Sequence, residues 1–349
     1  MAFNLQTILN EKISEAQLRA YCVRFDFGEC QIDALTEILM DALVDYAFGF
    51  HMGILEKYDR RILKEAAKSL YKIKGYEDAK KIYLDNDSVI DLDDSKKTEE
   101  EIQYENEIMK KGEFGELLLH TYLRDYFNTI PLLSKIYMKD TDGFPVHGFD
   151  AVHIGKDIID NEKNSLFLGE SKIYYRSTGK SGEAGVNDLA KDIENHFYKD
   201  FLYREFALIA KKQHNYISLE KYNDKNTIDR YSEFIKQKDE WINKIRDVSE
   251  LKGSLQELLD SVTIPIICTY ESTIFKKYDD DSSEHFNEEY NNEINELHIL
   301  FKEKVSKIKK EKGEPIRTNL NIILILLPIP SKKDFVKLLH QKTWKQQNA

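Results

Sequence analysis

Two short stretches, Gly148-Phe149-Asp150-Ala151-Val152-His153-Ile154 and Leu166-Phe167-Leu168-Gly169-Glu170-Ser171-Lys172-Ile173-Tyr174-Tyr175, decide how this chain folds. Both are rich in aromatic and branched residues, which fit a pleated, half-buried surface. The loop between them carries Gly155, Asp157, Asn161 and Asn164, so the pair is predicted to be two adjacent strands of a hairpin. Charge interrupts each apolar run: Asp150 in the first, Glu170 and Lys172 in the second. Residues two apart on a strand share a face, which sets the Glu170 carboxylate beside the Lys172 ammonium. Charge inside an apolar strand is costly unless a partner or a metal compensates it.

The flanking sequence supplies the layers around such a hairpin. Upstream, Lys111 to Phe127 has helical periodicity, with Leu117, Leu118, Tyr122, Leu123 and Tyr126 on an apolar face. Downstream, a loop with Gly179, Gly182 and Gly185 leads into a predicted helix from Val186 to Ala210, with Asn187 or Asp188 as its cap. Helices are expected over 227–247 and 252–261. The last third reads as strand Val262–Tyr270, a long charged helix over 284–311 and strand Leu320–Leu327. The final strand is so uniformly apolar that both its faces should be covered. Strand, long helix, strand implies a crossover connection, hence an α/β (α+β) fold with a mixed central sheet flanked by helices.

The first hundred residues read as helical. A helix is predicted from Asp33 through Leu35, Leu39, Leu43, Tyr46 and Phe50, and a second over 55–83. An acidic stretch over 85–107 separates this region from the rest. The expected division is therefore an N-terminal helical region, 1–108, that serves a partner or regulation, and a second domain, 109–349, that holds the chemistry.

Across 349 residues the formal charge is −11, which at face value opposes binding to a polyanion. Windows 85–107 and 279–296 each carry −8, while 302–345 carries +8, so the acidity is segregated and excludes no partner. Three cysteines, Cys22, Cys30 and Cys268, lack CxxC spacing, which argues against a disulfide framework or zinc knuckle and fits a reducing cytoplasm. No secretory signal is visible, and the longest apolar run, Ile322 to Leu327, is too short to span a bilayer, so no membrane partner is expected.

An acid-x-Lys triplet alone carries little weight, because about seven are expected by chance at this composition. Its position within an apolar strand raises it above an edge-strand salt bridge. Asp150, in the neighbouring strand, is the natural third member, although a turn or cap role is open to it. Two converging carboxylates make a hard oxygen site suited to Mg²⁺. On the upstream helix, Glu113, Glu116 and His120 fall on one stripe. Glu113 has a structural explanation in the first turn, which leaves Glu116 as the functional candidate.

Helix-borne Glu116, then Asp150, then Glu170-x-Lys172 stand in the order that resembles the PD-(D/E)xK nuclease superfamily, with its restriction-endonuclease-like fold. More narrowly, Gly-Glu-Phe-Gly-Glu-Leu-Leu-Leu (112–119), His-Gly-Phe-Asp-Ala-Val-His (147–153) and Leu-Gly-Glu-Ser-Lys-Ile-Tyr (168–174) are similar to the HamA family, nuclease subunits of Hachiman antiphage defence. That similarity spans about a quarter of the chain, Gly112 through Phe197. Phe149 stands where the superfamily places its name-giving proline; Pro145 is earlier, and this position is variable and not catalytic. The resemblance implies metal-assisted hydrolysis of DNA. Asp150, Glu170, the Ser171 carbonyl and Glu116 would hold Mg²⁺, or Mn²⁺, and Lys172 would orient the attacking water. It also implies a HamB-like helicase subunit that loads DNA.

Other readings compete. Gly179-Lys180-Ser181 suggests a phosphate loop, but the required glycine five positions earlier is Tyr174. His147 and His153 flank Asp150, yet on a strand they project away from it, as core or substrate-facing histidines would. A nuclease-like fold serving as a non-catalytic scaffold or regulatory subunit is the rival of a different class.

Overall fold

The hairpin anticipated around Asp150 and Glu170 is present in the computed structural model, which describes residues 4–49, 60–70, 112–134, 148–176, 179–211, 224–308 and 320–348. In chain order the strands are β1 (Leu9–Ser14), β2 (Leu18–Val23), β3 (Phe25–Asp26), β4 (Glu29–Cys30), β5 (Ile130–Leu133), β6 (Ala151–Lys156), β7 (Asn164–Tyr174), β8 (Val262–Glu271) and β9 (Asn321–Ile329). β6 and β7 pair antiparallel with Ala151 opposite Gly169 and Val152 opposite Leu168. β7, β8 and β9 then run parallel, setting Glu170 beside Ile266 and Ile266 beside Leu324. Among the described residues the sheet has seven strands in the order β1-β2-β9-β8-β7-β6-β5, with β3 and β4 a separate small hairpin.

Helices cover both faces, as the uniformly apolar β9 requires. They are α1 (Leu5–Ile8), α2 (Ile32–Asp41), α3 (Leu43–Phe48), α4 (Arg60–Leu70), α5 (Glu113–Phe127), α6 (Ser181–His196), α7 (Lys199–Lys211), α8 (Lys225–Ser249), α9 (Leu255–Leu259), α10 (Glu284–Ser306) and α11 (Lys332–Asn348). One core joins Leu166, Leu168, Ile264, Ile266 and Leu324 to α6, α7, α8 and α10. The other joins Phe167, Ile267, Ile323 and Ile325 to α2, α3, α5 and α11. The alternation of the sheet residues between the two cores is the two-residue period of a strand. α10 is the crossover that makes β8 and β9 parallel neighbours.

Three differences from the sequence expectations have physical causes. The predicted Val186–Ala210 helix is two helices, α6 and α7, that break at Phe197-Tyr198. Periodicity runs through the break because Val186, Leu189 and Ile193 and then Phe201, Phe206 and Ile209 face the same core. α6 also begins at Ser181, so Asp188 lies in its body and caps nothing. The helix expected from Asp33 begins at Ile32 and is interrupted at Ala42, giving α2 and α3.

Of the helix expected over 55–83 only α4 lies among the described residues, and the N-terminal region also supplies β1 and β2 to the central sheet. Leu18, Ala20 and Cys22 of β2 are fully buried in the core that holds Leu324 and Leu326. The acidic stretch 85–107 and the boundary expected near residue 108 lie outside the described residues, as does His147.

Candidate active site

Side chains of β7 alternate between the two faces. Glu170 and Lys172 point to the α6 side, where their partners are. Ser171 and Ile173 point to the α5 side, where a Cβ on Gly115 would lie 3.0 Å from Ser171 Oγ. Asp150 stands immediately before β6. Its backbone N–H donates to the Gly169 carbonyl at 2.9 Å. Its Oδ2 accepts from both the N–H and the hydroxyl of Ser171, each at 2.8 Å. Asp150 thus caps the adjoining strand, and that cap fixes its carboxylate next to Glu170.

Glu170 is 3% exposed, and its Oε1 lies 2.7 Å from His196 Nδ1 on α6. Burial pushes the Glu170 carboxyl well above its ordinary range, with Asp150 and Asp192 adding to the push and Lys172 opposing it. Burial also lowers His196. Both shifts favour the neutral forms. Lys172 Nζ lies 2.6 Å from Asp192 Oδ2. Burial acts to lower Lys172, but Asp192, Asp150 and Glu170 together outweigh it and hold the ammonium above its ordinary value.

Asp150, Glu170 and Lys172, separated by up to 22 positions in sequence, therefore form one cluster with Ser171. Asp192 and His196 were not among the expected residues. Their signal was in the sequence: Asp188, Asp192 and His196 recur every four residues, one stripe of a helix following the Glu-x-Lys strand. Glu116 stands on the helix that packs on the Ser171 side of β7. It is half-buried on α5, accepts from the Tyr46 hydroxyl at 2.8 Å, and neighbours the Gly115 that packs on Ser171.

His153 behaves as the strand period requires. His153 is buried, with Nε2 3.2 Å from His120 Nδ1 and Nδ1 2.9 Å from Thr129 Oγ1. Both rings lie in the core away from Glu170. At the phosphate-loop candidate, Gly179 adopts φ +74°, Lys180 precedes α6 and the Ser181 hydroxyl accepts from the Arg176 N–H.

The donor set fits a hard divalent cation. Asp150, Glu170 and Asp192 all act on a single ammonium, so the cluster carries an excess of carboxylate, which adds to burial in raising Glu170. Among the described residues no three His, Cys, Asp or Glu side chains form a metal-holding group. An ion here would rest on two carboxylates, a backbone carbonyl and water, a shell that Mg²⁺ tolerates and structural Zn²⁺ does not.

The HamA family model matches residues 2–343. The chain belongs to the HamA family. As a HamA protein it is a Hachiman defence protein, and the match spans β1 through most of α11. A comparison with curated proteins gives no match. Among the described residues no helix of this HamA chain is long and apolar enough to cross a membrane.

Proposed function

We propose that this HamA protein is a metal-dependent nuclease that cleaves DNA phosphodiester bonds, acting as the effector of a defence complex with a helicase subunit. The observation that supports this most directly is the meeting of Asp150, Glu170 and Lys172 at one end of the β6–β7 hairpin. Asp150 and Glu170, with the Ser171 carbonyl, would hold Mg²⁺ or Mn²⁺. When bound, the ion supplies Lewis-acid polarisation of a phosphoryl oxygen and a more acidic water.

The chain's own groups do the rest. Ser171 holds Asp150 through two hydrogen bonds, so that carboxylate is oriented before any ligand arrives. His196 does the same for Glu170. Lys172 keeps a full positive charge, with three donors on its ammonium, and can orient water while offsetting charge that develops on the phosphate. Glu116, on the far side of Ser171, is left to a second ion or a bound water.

A helicase partner accords with the charge balance. Nonspecific DNA affinity comes largely from phosphate neutralisation, which a chain of net −11 supplies poorly. The test is cleavage of plasmid DNA in Mg²⁺ and in EDTA, alone and with the helicase subunit. Metal-dependent cutting that disappears with Lys172→Ala supports the proposal; wild-type-like cutting by Glu170→Ala would overturn it. The absence of cutting in every condition would favour the scaffold reading.

A further inference from the structure

Three polar pairs join β7 to α6 in register: Tyr174 with Asp188, Lys172 with Asp192, and Glu170 with His196. Two residues on a strand advance about 6.6 Å and four on a helix about 6 Å, so alternate strand positions meet every fourth helix position when the elements run antiparallel. On α6 two aspartates are long enough to complete these pairs because the helix lies very close to the sheet. A Cβ at Gly185 would collide with Cys268 Sγ of β8 and come within 3.2 Å of the Tyr174 ring. At its far end the ladder is clamped by α7: His196 stacks on Phe201, ring centroids 4.7 Å apart and planes at 11°, with Phe149 edge-on at 6.3 Å.

We infer that Asp192 and His196 are positioning residues of the nuclease site, α6 serving as a template that sets Lys172 and Glu170 against the incoming cation and phosphate. This rests on the nuclease reading. The physical reason is competition. Lys172 feels Asp150 and Glu170 as well as Asp192, so without its tether the ammonium would collapse onto the two carboxylates and occupy the place of the cation. With one donor on Asp192, two others stay available for water and phosphate. The Lys172 and Asp192 side chains remain 28% and 18% exposed against 4% for Glu170, so this pair lies nearer solvent than the Glu170 carboxyl.

The experiment compares full-length wild type with Asp192→Asn, Asp192→Glu, His196→Ala, His196→Gln and Gly185→Ala. It follows kcat and KM on DNA and, separately, Mn²⁺ affinity by calorimetry. The expected result for Asp192→Asn is a kcat loss on the order of 100-fold, the scale of a small misplacement at a reacting centre, with KM for DNA unchanged. His196→Ala should weaken Mn²⁺ binding about ten-fold, as loss of a group that orients a metal ligand does. Asp192→Glu and His196→Gln, which keep the charge or a donor, should recover part of each loss. Gly185→Ala, which touches neither pair, should lower kcat by lifting α6.

Folded Asp192→Asn and His196→Ala proteins with wild-type kcat and Mn²⁺ affinity would overturn the inference. Should wild type cut nothing, the nuclease reading fails and the Mn²⁺ titration decides alone: weaker binding by His196→Ala upholds the template, unchanged binding overturns it. If His196→Ala does not fold, His196→Gln and Asp192→Asn carry the same comparison.

Discussion

Lys172 Nζ lies 2.6 Å from Asp192 Oδ2, so the lysine of the Glu-x-Lys strand is tethered by the helix that follows it. The same helix holds Glu170 through His196. Two residues that look independent in sequence are thereby held by one rigid element.

Activity and stability should part company at Glu170. Its carboxyl is raised by burial and by Asp150 and Asp192, so folding favours the protonated form. The contribution of Glu170 to stability is therefore present at acidic pH and is lost as pH rises above 4.5, the ordinary value, toward the raised one. Glu170→Gln is expected to raise the melting temperature at pH 7.5, with the gain vanishing near pH 4, while cleavage falls by about 10³-fold or more. Scanning calorimetry at the two pH values checks the first half; a lower melting temperature at pH 7.5 would contradict it.

Acid should unfold the chain through its core histidines. Burial lowers His153 to about 3, and burial with His153 and Arg124 nearby lowers His120 well below 6.5. The folded state prefers both rings neutral, so stability is complete above pH 6.5 and falls as pH drops toward 3. Each histidine should contribute a slope of up to about 1.4 kcal/mol per pH unit. Urea titrations between pH 7 and pH 5 read this slope, and His153→Gln should flatten it.

Glu116 should matter less than Glu170. It neighbours the Gly115 that packs on Ser171, and its carboxylate already takes a hydrogen bond from Tyr46. Glu116→Gln is expected to reduce cleavage by about ten-fold, the low end for a group that supports a metal site from outside its ligand shell. Tyr46→Phe should act in the same direction through the same bond. A loss as deep as that of Glu170→Gln would place Glu116 among the direct ligands.

The N-terminus should prove inseparable from the sheet. β2 pairs in parallel with β9, Leu18 beside Leu324 and Ala20 beside Leu326, and its inward side chains are fully buried. Removing residues 1–24 would expose that row and leave the β9 edge unpaired, a template for aggregation. The truncated chain is expected to be insoluble or to lose cooperative unfolding. A soluble, cooperatively folding product would make the N-terminal strands an accessory.

DNA binding by the isolated chain should be weak. Neutralising phosphates requires clustered cations, and the +8 of residues 302–345 stands against −8 in each of 85–107 and 279–296. Fluorescence anisotropy with duplex and single-stranded oligonucleotides, at two salt concentrations, tests this. Tight, strongly salt-dependent binding without a partner would remove the reason to invoke one.

The hairpin, the crossover and the two-sided cover of β9 were legible because they follow from local periodicity: two residues per strand repeat, 3.6 per helical turn, and the apolar faces those repeats create. Glu170 and Lys172 were legible for the same reason, since charge inside an apolar strand stands out; Asp150 was read as part of the first strand and lies just before it. Four matters were decided only by tertiary structure. β1 and β2 join the sheet through pairing with a strand some three hundred residues away, and no local pattern encodes that partner. Asp150 became a cap because the backbone of Ser171 needed an acceptor past the end of β6. Glu116 took its place behind Ser171 because α5 packs on the other face of the sheet. Asp192 and His196 looked like ordinary polar residues of an amphipathic helix. Their role depends on the register between α6 and β7, which the close approach at Gly185 sets and which exists only once the helix has docked.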